Sequence, residues 1–489
     1  MATKTDSPGE VALATVPANE VRSFDAAFGG DIVRPDDSEY DQARAVWNGM
    51  IDRYPALVAR CSGTADVVAS VQFAREHDLE LAVRGGGHNV AGTAVCDGGV
   101  VADLSEMNGV YVDREARTVR AEGGATLGDV DRETQLFGLA TALGAVSETG
   151  IAGLTLNGGY GHLTRQYGLS VDNLRSVEIV TADGHVHTAS ADKNADLFWG
   201  IRGGGGNFGI VTSFEYDLHD VGPEVYAFFM WFHADDGDAV MERYLEWTAT
   251  APEDAGVLVF TARVPDIEEF PVDARGSAAV AMLGSYRGDL EDAEEVFDPL
   301  RTSATPIVDF SEPMEYVDLQ SMLDEDYPDG LRYYWKSIFL TDVTDEVVDI
   351  MGRYLESAPS DLSTVDLWHL GGAVEDVPQD ATAFWHRDKP YMLTFEANWE
   401  EPGDDDANVA WGRNGIAEAR ELPVGTGNYG NFPGLNENPA KSLYGNNYER
   451  LVDLKTKYDP ENVFRTNSNL VPRSDTDRGS DADRRPEAS

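Results

Sequence analysis

The chain has 489 residues, of which 42% are apolar, 25% charged and 10% aromatic. This composition is typical of a soluble globular protein with two or more domains. Two cysteines, Cys61 and Cys96, are too few for a disulfide framework or a cysteine-rich metal site. The 87 acidic and 37 basic residues give a formal net charge of −50, spread along the whole chain. Phosphate backbones and anionic lipids repel such a charge, which excludes nucleic acids and membranes as expected partners.

Charge and targeting signals together predict the working conditions and the compartment. Self-repulsion on this scale destabilises a compact state unless counterions screen it, so we expect a halophilic protein. The N-terminal sequence has no basic segment followed by an apolar one, so we predict no signal peptide. A run of about eighteen apolar residues is also absent, so we predict no membrane span and expect a cytoplasmic protein.

Both ends of the chain are predicted to be irregular. Residues 1–18 show no hydrophobic pattern, and we expect them to fray within an N-terminal arm that covers residues 1–40. Residues 474–489 contain no apolar residue beyond alanine, which predicts a disordered acidic tail.

Residues 41–222 alternate short apolar runs with helical patterns. In chain order, the patterns predict a helix over 64–78 with Thr64 as its cap, a strand over 81–84 that runs into a glycine turn, strands over 99–104 and 109–113, a helix over 126–137, and a hairpin over 176–190 that turns at Asp183–Gly184. A further strand pattern follows at 210–218.

Residues 223–435 have a different pattern. Long β-rich runs at 225–233, 279–286 and 391–399 alternate with acidic helical stretches at 290–300 and 344–357. This mixture predicts a second α+β domain, built on an antiparallel sheet that helices flank. Residues 436–473 then return to a helical pattern, which Asp459–Pro460 ends.

Three glycine-rich stretches lie in the first half of the chain, at 84–89, 150–161 and 203–209. Glycine lets a backbone approach a ligand closely, and loops that present N–H groups bind anions such as phosphates. Taken singly, each stretch is explained equally well as a tight turn in a crowded core. Three of them within one domain favour a site for a phosphate-bearing ligand.

Two details of these stretches bear on the cofactor. The spacing of Gly204, Gly206 and Gly209 matches a dinucleotide-binding fingerprint, but a strand pattern follows it where a helix is required, so we reject that assignment. His88 follows three glycines and Arg84. It is either a hydrogen-bonded turn histidine or a nucleophile toward a cofactor, since a neutral imidazole nitrogen is a good nucleophile.

Five ordered segments of the chain resemble the flavin-dependent oxidases of the berberine bridge enzyme type, which belong to the vanillyl-alcohol oxidase group with its PCMH-type FAD-binding fold. These segments are residues 55–77, 81–105, 146–174, 196–216 and 444–470. The resemblance runs from about Asp41 to Pro472. It implies an α+β fold in which residues 41–222 and a C-terminal segment, 436–473, form one FAD-binding domain. Residues 223–435 then form the substrate domain that covers the flavin ring.

The resemblance also implies FAD bound covalently to His88, the histidine of the family's R-G-G-G-H motif. Some members add a second link through a cysteine, but Val146 stands at that position, so we expect the histidyl bond alone. We expect Cys96 to be a buried small residue. The predicted cofactor-binding residues are Arg84, Gly85, Gly86, Gly87, His88, Asn89, Gly92, Thr149, Gly150, Gly153, Gly158, Gly159, Tyr160, Gly161, Val211, Asn467 and Asn469.

Oxidation of an alcohol or amine by a flavin requires a group that takes the O–H or N–H proton. In the family this base comes from the second domain or the segment after it, and the matching residue is Tyr429, which we expect a cation or a second tyrosine to activate. Tyr391 and Glu396 are the further candidates, and strand alternation places them on opposite faces. Thr394 stands where some members hold a catalytic glutamate, which favours the tyrosine.

Other histidines are predicted to be structural. His386–Arg387 is expected to be a structural pair, and His185 and His187 lie beside a hairpin turn without a third ligand, so we expect no metal.

These observations predict an FAD-linked oxidase that takes a hydride from an alcohol, such as a sugar or a specialised metabolite, and reduces O₂ to H₂O₂. A flavin dehydrogenase with another acceptor and a flavin-binding protein without turnover are the alternatives. The expected partners are a small-molecule substrate and O₂ or another electron acceptor. The sequence determines neither the substrate nor the oligomeric state.

Overall fold

The computed structural model describes residues 8–435, 437 and 439–474. The predicted acidic tail therefore lies outside the described residues, apart from Ser474. Within the described part of the chain, no helix is both long and apolar enough to cross a lipid bilayer.

The first domain combines two sheets. Its strands are β1 (Asp31–Val33), β2 (Leu57–Arg60), β3 (Leu81–Arg84), β4 (Val100–Asp103), β5 (Val110–Asp113), β6 (Thr118–Glu122), β7 (Leu139–Ala140), β8 (Leu174–Val180), β9 (Val186–Ser190), β10 (Ile210–Asp217) and β11 (His219–Asp220). Its helices are α1 (Pro8–Leu13), α2 (Ala18–Ala27), α3 (Tyr40–Arg44), α4 (Thr64–Glu76), α5 (Leu127–Thr134), α6 (Ile151–Leu156), α7 (Thr164–Tyr167) and α8 (Ala195–Ile201). One sheet has the order β1-β2-β4-β3, with β2 and β3 parallel to β4, and the other is antiparallel with the order β5-β6-β10-β8-β9.

Helix α4 fills the space between these sheets. Its apolar residues, Val67 and Val71 among them, pack against Leu57 of one sheet and Ile210 of the other. The helix confirms the periodicity predicted from the sequence, but the predicted cap is wrong by one residue. Gly63 occupies the cap position, and the Thr64 hydroxyl instead donates a hydrogen bond to Glu178 at 2.9 Å.

The prediction that residues 8–18 fray is wrong. Helices α1 and α2 form there, and Val16 and Phe24 are buried in the same core as α4. The ring of Phe24 stacks on Phe73 with centroids 4.4 Å apart. Strand β1 then pairs with β2, so the segment predicted as an arm contributes a strand to the first sheet.

The second domain is a nine-stranded sheet. Its strands are β12 (Glu224–His233), β13 (Ala255–Arg263), β14 (Ala278–Tyr286), β15 (Pro306–Asp309), β16 (Glu312–Glu315), β17 (Arg332–Leu340), β18 (Thr364–His369), β19 (Tyr391–Trp399) and β20 (Gly425–Thr426), in the order β15-β12-β14-β13-β18-β19-β17-β20, with β16 also paired to β12. Its helices are α9 (Gly237–Thr248), α10 (Ala293–Arg301), α11 (Tyr316–Ser321), α12 (Asp345–Glu356), α13 (Ala373–Asp376) and α14 (Asp405–Arg420). All the strand pairs are antiparallel, which confirms the predicted α+β fold class.

The two faces of this sheet have different neighbours. One face packs on helices, as shown by Val240 of α9, Ile350 of α12 and Ile416 of α14, which share a core with Phe395. The other face turns to the first domain, where Met392 packs with Tyr160 and Tyr429. Alternate residues of β19 therefore face opposite sides of the sheet: Phe395 faces the helices, and Met392 faces the first domain.

The C-terminal helices, α15 (Ala440–Tyr444) and α16 (Tyr448–Tyr458), return to the first domain. Lys455 forms a fully buried ion pair with Asp459, 2.6 Å apart, and also donates to the carbonyl of Asn207 at 2.9 Å. Asn207 in turn donates to the carbonyl of Ser468 at 3.2 Å and accepts from the N–H of Leu470 at 3.0 Å. The last part of the chain thus fixes the third glycine-rich loop.

Candidate active site

A cavity lies between the two domains and the C-terminal segment. The predicted cofactor-binding residues that line it are Gly85, Gly86, Gly87, His88, Asn89, Thr149, Gly150, Gly153, Tyr160, Val211 and Asn467. The catalytic candidates Tyr429 and Glu396 line it as well. All three glycine-rich stretches contribute to the walls, and the third, which includes Gly205 and Gly206, leads into strand β10 as predicted.

The glycines of two loops allow their backbones to touch. A Cβ atom at Gly86 would lie 2.5 Å from the nitrogen of Gly150, and one at Gly150 would lie 2.4 Å from the nitrogen of Gly86. A side chain at either position would push the loops apart. At Gly153 a Cβ atom would meet nothing within 4 Å, because this residue faces the cavity. Glycine there leaves room for a bound group.

Several predicted cofactor-binding residues support the loops instead of lining the cavity. Arg84 is paired in register with Asp103 of the neighbouring strand and donates to its buried carboxylate and to the carbonyl of Ala43. The guanidinium is thereby used within the protein and supports the loop, and the assignment of Arg84 to the cofactor stays a prediction. Five other predicted cofactor-binding residues are not among those that line the cavity, and their assignment stays a prediction: Gly92, Gly158, Gly159, Gly161 and Asn469.

His88 has an unused nitrogen. Its Nε2 atom is buried and has no hydrogen-bond partner among the described residues. Burial lowers the pKa of His88 to about 4, so the imidazole is neutral at pH 7. Trp47 stacks on this ring with centroids 4.0 Å apart, and Tyr333 stacks on the far side of Trp47 at 3.6 Å. The structure therefore presents a neutral imidazole, fixed in orientation, to the cavity.

Tyr429 is held by two donors. The N–H of Gly159 donates to its hydroxyl oxygen at 3.2 Å, and Asn431 donates to the same oxygen at 2.8 Å. Both acceptor positions of the hydroxyl are used, so its own proton is left to donate. Burial raises the pKa of Tyr429 above 10, although the two donors act against this rise. The residue is therefore a phenol at neutral pH.

Glu396 forms a buried carboxyl pair with Asp366. The side chains come from adjacent strands, β19 and β18, and are 3% and 4% exposed. Tyr327 donates to one oxygen of Glu396 at 3.1 Å, and Thr394 donates to the other at 3.2 Å. Burial raises the pKa of both carboxyls, and the charge of Asp366 raises that of Glu396 further. Two carboxylates this close share one proton instead of both ionising.

Aromatic rings form the rest of the wall around Glu396. Tyr160 lies 4.8 Å from Trp368 and 4.8 Å from Tyr429, measured between ring centroids. Trp335 lies 5.0 Å from Phe432. Tyr160 also lies close enough to Tyr429, Glu396 and Asp366 for each of them to raise its pKa. The tyrosines and the carboxyl pair therefore form one cluster.

The structure does not bring Tyr391 to the cavity. Its side chain lies on the helix-covered face of β19, where the hydroxyl lies 2.7 Å from that of Thr248 and the ring stacks on His369. Its assignment as a catalytic candidate is wrong because alternation along the strand turns it away from Glu396.

The remaining polar candidates are structural. Arg387 forms a buried ion pair with Asp172 at 2.6 Å, and His386 Nε2 lies 2.9 Å from the carbonyl of Ser442, which confirms their predicted role. Cys96 is a free, buried cysteine, as predicted. Among the described residues, no group of three or more His, Cys, Asp or Glu side chains could hold a metal ion.

Sequence reasoning missed three contributors to this site. Asp366 lies between Val365 and Leu367 in β18, and an acid between apolar residues of a strand is a signal that could have found it. Tyr327 precedes β17 in an acidic loop and carries no such signal. Trp47 lies in a segment without periodicity, and only the structure shows that it contacts His88.

The comparisons with known proteins agree with this arrangement. Residues 55–190 match the family described as "FAD binding domain", and residues 428–470 match "Berberine and berberine like". An FAD-linked oxidoreductase of Dictyostelium discoideum is 31% identical, with 92% of this chain and 97% of that protein covered. The (R)-6-hydroxynicotine oxidase of Paenarthrobacter nicotinovorans is also 31% identical, with 91% and 97% covered.

A solved structure extends the likeness to the fold. The glucooligosaccharide oxidase of Acremonium strictum, which carries a 6-S-cysteinyl, 8α-N1-histidyl FAD, has a TM-score of 0.81 at 23% identity, with 92% of this chain and all of that chain covered. This chain thus belongs to the FAD-linked oxidoreductases of the berberine bridge type, and it is an enzyme of that class. The site fits FAD, since the glycine loops leave room and the buried Nε2 of His88 has no partner among the described residues.

Proposed function

We propose that the protein is an oxidase that removes a hydride from a CH–OH or CH–NH group of a small molecule, with FAD bound covalently at His88 and O₂ as the final acceptor. FAD, when bound, supplies the two-electron acceptor. The observation that carries this proposal is that His88, Tyr429 and Glu396 line one cavity. The likeness to a protein named as an oxidase at 31% identity supports O₂ as the acceptor.

A single covalent bond to FAD is the expected linkage. A neutral imidazole whose Nε2 has no partner among the described residues is suited to act as a nucleophile. The histidyl FAD of the Acremonium oxidase supports this assignment. Val146 lines the cavity and has no nucleophilic atom, while Cys61 and Cys96 lie elsewhere, so a second bond is not expected.

The contacts of Tyr429 and Glu396 support different roles for the two residues. A phenol whose oxygen already accepts two hydrogen bonds is a donor, and the cation expected to activate Tyr429 is not among the described residues that line the cavity. Tyr429 therefore donates a hydrogen bond to the oxygen or neutral nitrogen of the substrate and orients it. Glu396 takes the substrate's proton while its own proton moves to Asp366. This assignment reverses the order that the sequence predicts.

Anaerobic reduction followed by mixing with O₂ tests the proposed function. Purified holoprotein is mixed with a panel of alcohols, sugars and amines while the flavin absorbance is followed, and air is then admitted. We expect at least one class to bleach the flavin, and we expect O₂ to restore the colour with formation of H₂O₂. Recovery of the colour only with an artificial acceptor would identify a dehydrogenase. A flavin that no class bleaches would identify a binding protein without turnover.

A further inference from the structure

No cation in the part of the chain that the structure describes forms an ion pair with the buried carboxyl pair of Asp366 and Glu396. Asp366 and Glu396 are almost fully buried, and the pair keeps one negative charge when it shares one proton. Among the described residues that line the cavity, none is a lysine or an arginine, and His88 is neutral. Buried charges in folded proteins are normally paired, because an unpaired charge loses its hydration without compensation. One oxygen of Asp366 also has no hydrogen-bond partner among the described residues.

The wall around the pair is aromatic and offers few polar contacts. Trp335 already donates its indole N–H to Asn398 at 2.7 Å, and the hydroxyl of Tyr327 is bonded to Glu396. A sugar needs a hydrogen-bond partner for most of its hydroxyls, and of the indole rings only Trp368 has an N–H without a partner among the described residues. Aromatic faces instead attract a cation placed within about 6 Å.

We propose that the substrate is an amine with an aromatic or apolar body, which binds as its ammonium ion against the Asp366–Glu396 pair and between the rings of Trp335, Trp368 and Tyr160. This inference rests on the proposed function and narrows its substrate class. The ammonium ion supplies the missing positive charge. Glu396 then accepts the ammonium proton as its own proton moves to Asp366, which leaves the neutral amine that hydride removal requires.

The charge of the whole protein favours the same class of ligand. A net charge of −50 raises the local concentration of cations and lowers that of anions. Concentrated salt screens this long-range attraction but has little effect on a pair buried within the cavity. Selectivity for an amine is therefore expected to persist at high salt.

A binding experiment with two isosteric probes tests this inference without any turnover. The probes are 2-phenylpropan-2-amine and 2-phenylpropan-2-ol, which have the same shape and no hydrogen on the carbon that carries nitrogen or oxygen. Their affinities for the oxidised holoprotein are measured by calorimetry at pH 8 in molar KCl. Loss of a buried charge partner weakens binding at least about 30-fold, so we expect the amine to bind more tightly than the alcohol by at least that factor.

Variants that replace an acid by its amide test whether the preference for the amine probe comes from the Asp366–Glu396 pair. Glu396→Gln and Asp366→Asn are each expected to lower the amine-to-alcohol affinity ratio at least about 10-fold. Glu400→Gln, the same change at an exposed residue directly after β19, is expected to leave the ratio unchanged. Flavin content and Tm of each variant report folding. If a variant does not fold, the comparison of the two probes on the unmodified holoprotein decides alone.

The outcomes separate this inference from the proposed function. Equal affinities, undetectable binding of the amine, or a preference that both folded variants retain would each overturn the amine assignment. Bleaching of the flavin by sugars or alcohols, together with no preference for the amine probe, would overturn it and leave the proposed oxidase intact. A clear preference for the amine without bleaching by any substrate class would support the binding site and overturn the oxidase.

Discussion

Asp131→Asn is expected to stabilise the folded protein above pH 7. Asp131 lies in α5, is 2% exposed, and accepts one hydrogen bond from Gln320 of α11 at 2.9 Å. Burial raises the pKa of this carboxyl to about 7. The folded carboxyl holds its proton more tightly than the unfolded one, so the free energy of unfolding falls as the pH rises from about 4 to about 7. Asparagine does not titrate, and the variant escapes this loss.

The magnitude follows from the pKa and from the contacts. The pKa of Asp131 rises by about 3, and each pKa unit corresponds to 1.36 kcal/mol. Above pH 7 the free energy of unfolding of the unmodified protein is therefore lower by roughly 4 kcal/mol than it would be without this rise. The amide also adds a contact. The second oxygen of Asp131 and the carbonyl oxygen of Gln320 are both buried without a hydrogen-bond partner among the described residues. An asparagine N–H in place of that oxygen can donate to Gln320.

Thermal unfolding of the holoprotein between pH 4 and pH 9 measures the effect. At roughly 1–2 °C per kcal/mol for a chain of 489 residues, half of the calculated gain would raise the Tm by at least about 2 °C at pH 9, with little change at pH 4. Asp129→Asn is the matched control in the same helix. Asp129 accepts from the N–H of Thr126 in a capping box, and asparagine keeps this acceptor but removes the negative charge from the first turn of the helix, so the Tm should fall slightly. A Tm for Asp131→Asn that is lower than that of the unmodified protein at pH 9 would refute the reasoning.

Four further predictions concern the cofactor, the chemistry and the solvent. His88→Ala is expected to release all flavin on acid precipitation, whereas the unmodified protein stays yellow, and a variant that keeps FAD after denaturation would contradict the assignment. Trp47→Leu removes the ring that stacks on His88, so we expect a smaller covalent fraction at equal total FAD, measured by absorbance before and after denaturation. Glu396→Gln is expected to slow flavin reduction roughly 10²–10⁴-fold in anaerobic stopped flow, the range for loss of a general base, while Glu400→Gln reduces at the normal rate. A normal rate in Glu396→Gln would move the proton acceptor elsewhere. The Tm is expected to rise steeply between 0.01 M and 1 M KCl, because the Debye length falls from roughly 30 Å to roughly 3 Å, and a flat curve would contradict adaptation to salt.

Local patterns in the sequence predict the elements whose contacts are periodic. The helix at 64–76 and the hairpin around Asp183–Gly184 follow directly from such patterns. Helix α2 carries such a pattern as well, since Val21, Phe24 and Phe28 recur at helical spacing in the same core, whereas Val16 stands alone and is buried through contacts with distant segments. Burial that arises between distant segments leaves no local pattern.

In the candidate site, too, local sequence patterns predict some features, and contacts between distant segments determine the others. Glycine loops and strand alternation locate His88 and separate Tyr391 from Glu396. The sequence does not show which face of β19 meets the cavity, because that depends on where α9, α12 and α14 pack. The partnership of Asp366 with Glu396 depends on the register between two strands, and the two donors to Tyr429 come from a turn about 270 residues away and from Asn431. The spacing of residues within one segment therefore predicts neither the carboxyl pair nor the hydrogen bonds to Tyr429.

The contacts of Asn207 set an order of events during synthesis. The third glycine-rich loop is synthesised early, but the contacts of its Asn207 with Lys455, Ser468 and Leu470 form only when the C-terminal segment is present. A nascent chain therefore carries a half-built nucleotide site throughout the translation of the second domain. A chain that stops before this segment therefore lacks part of the support of the third glycine-rich loop.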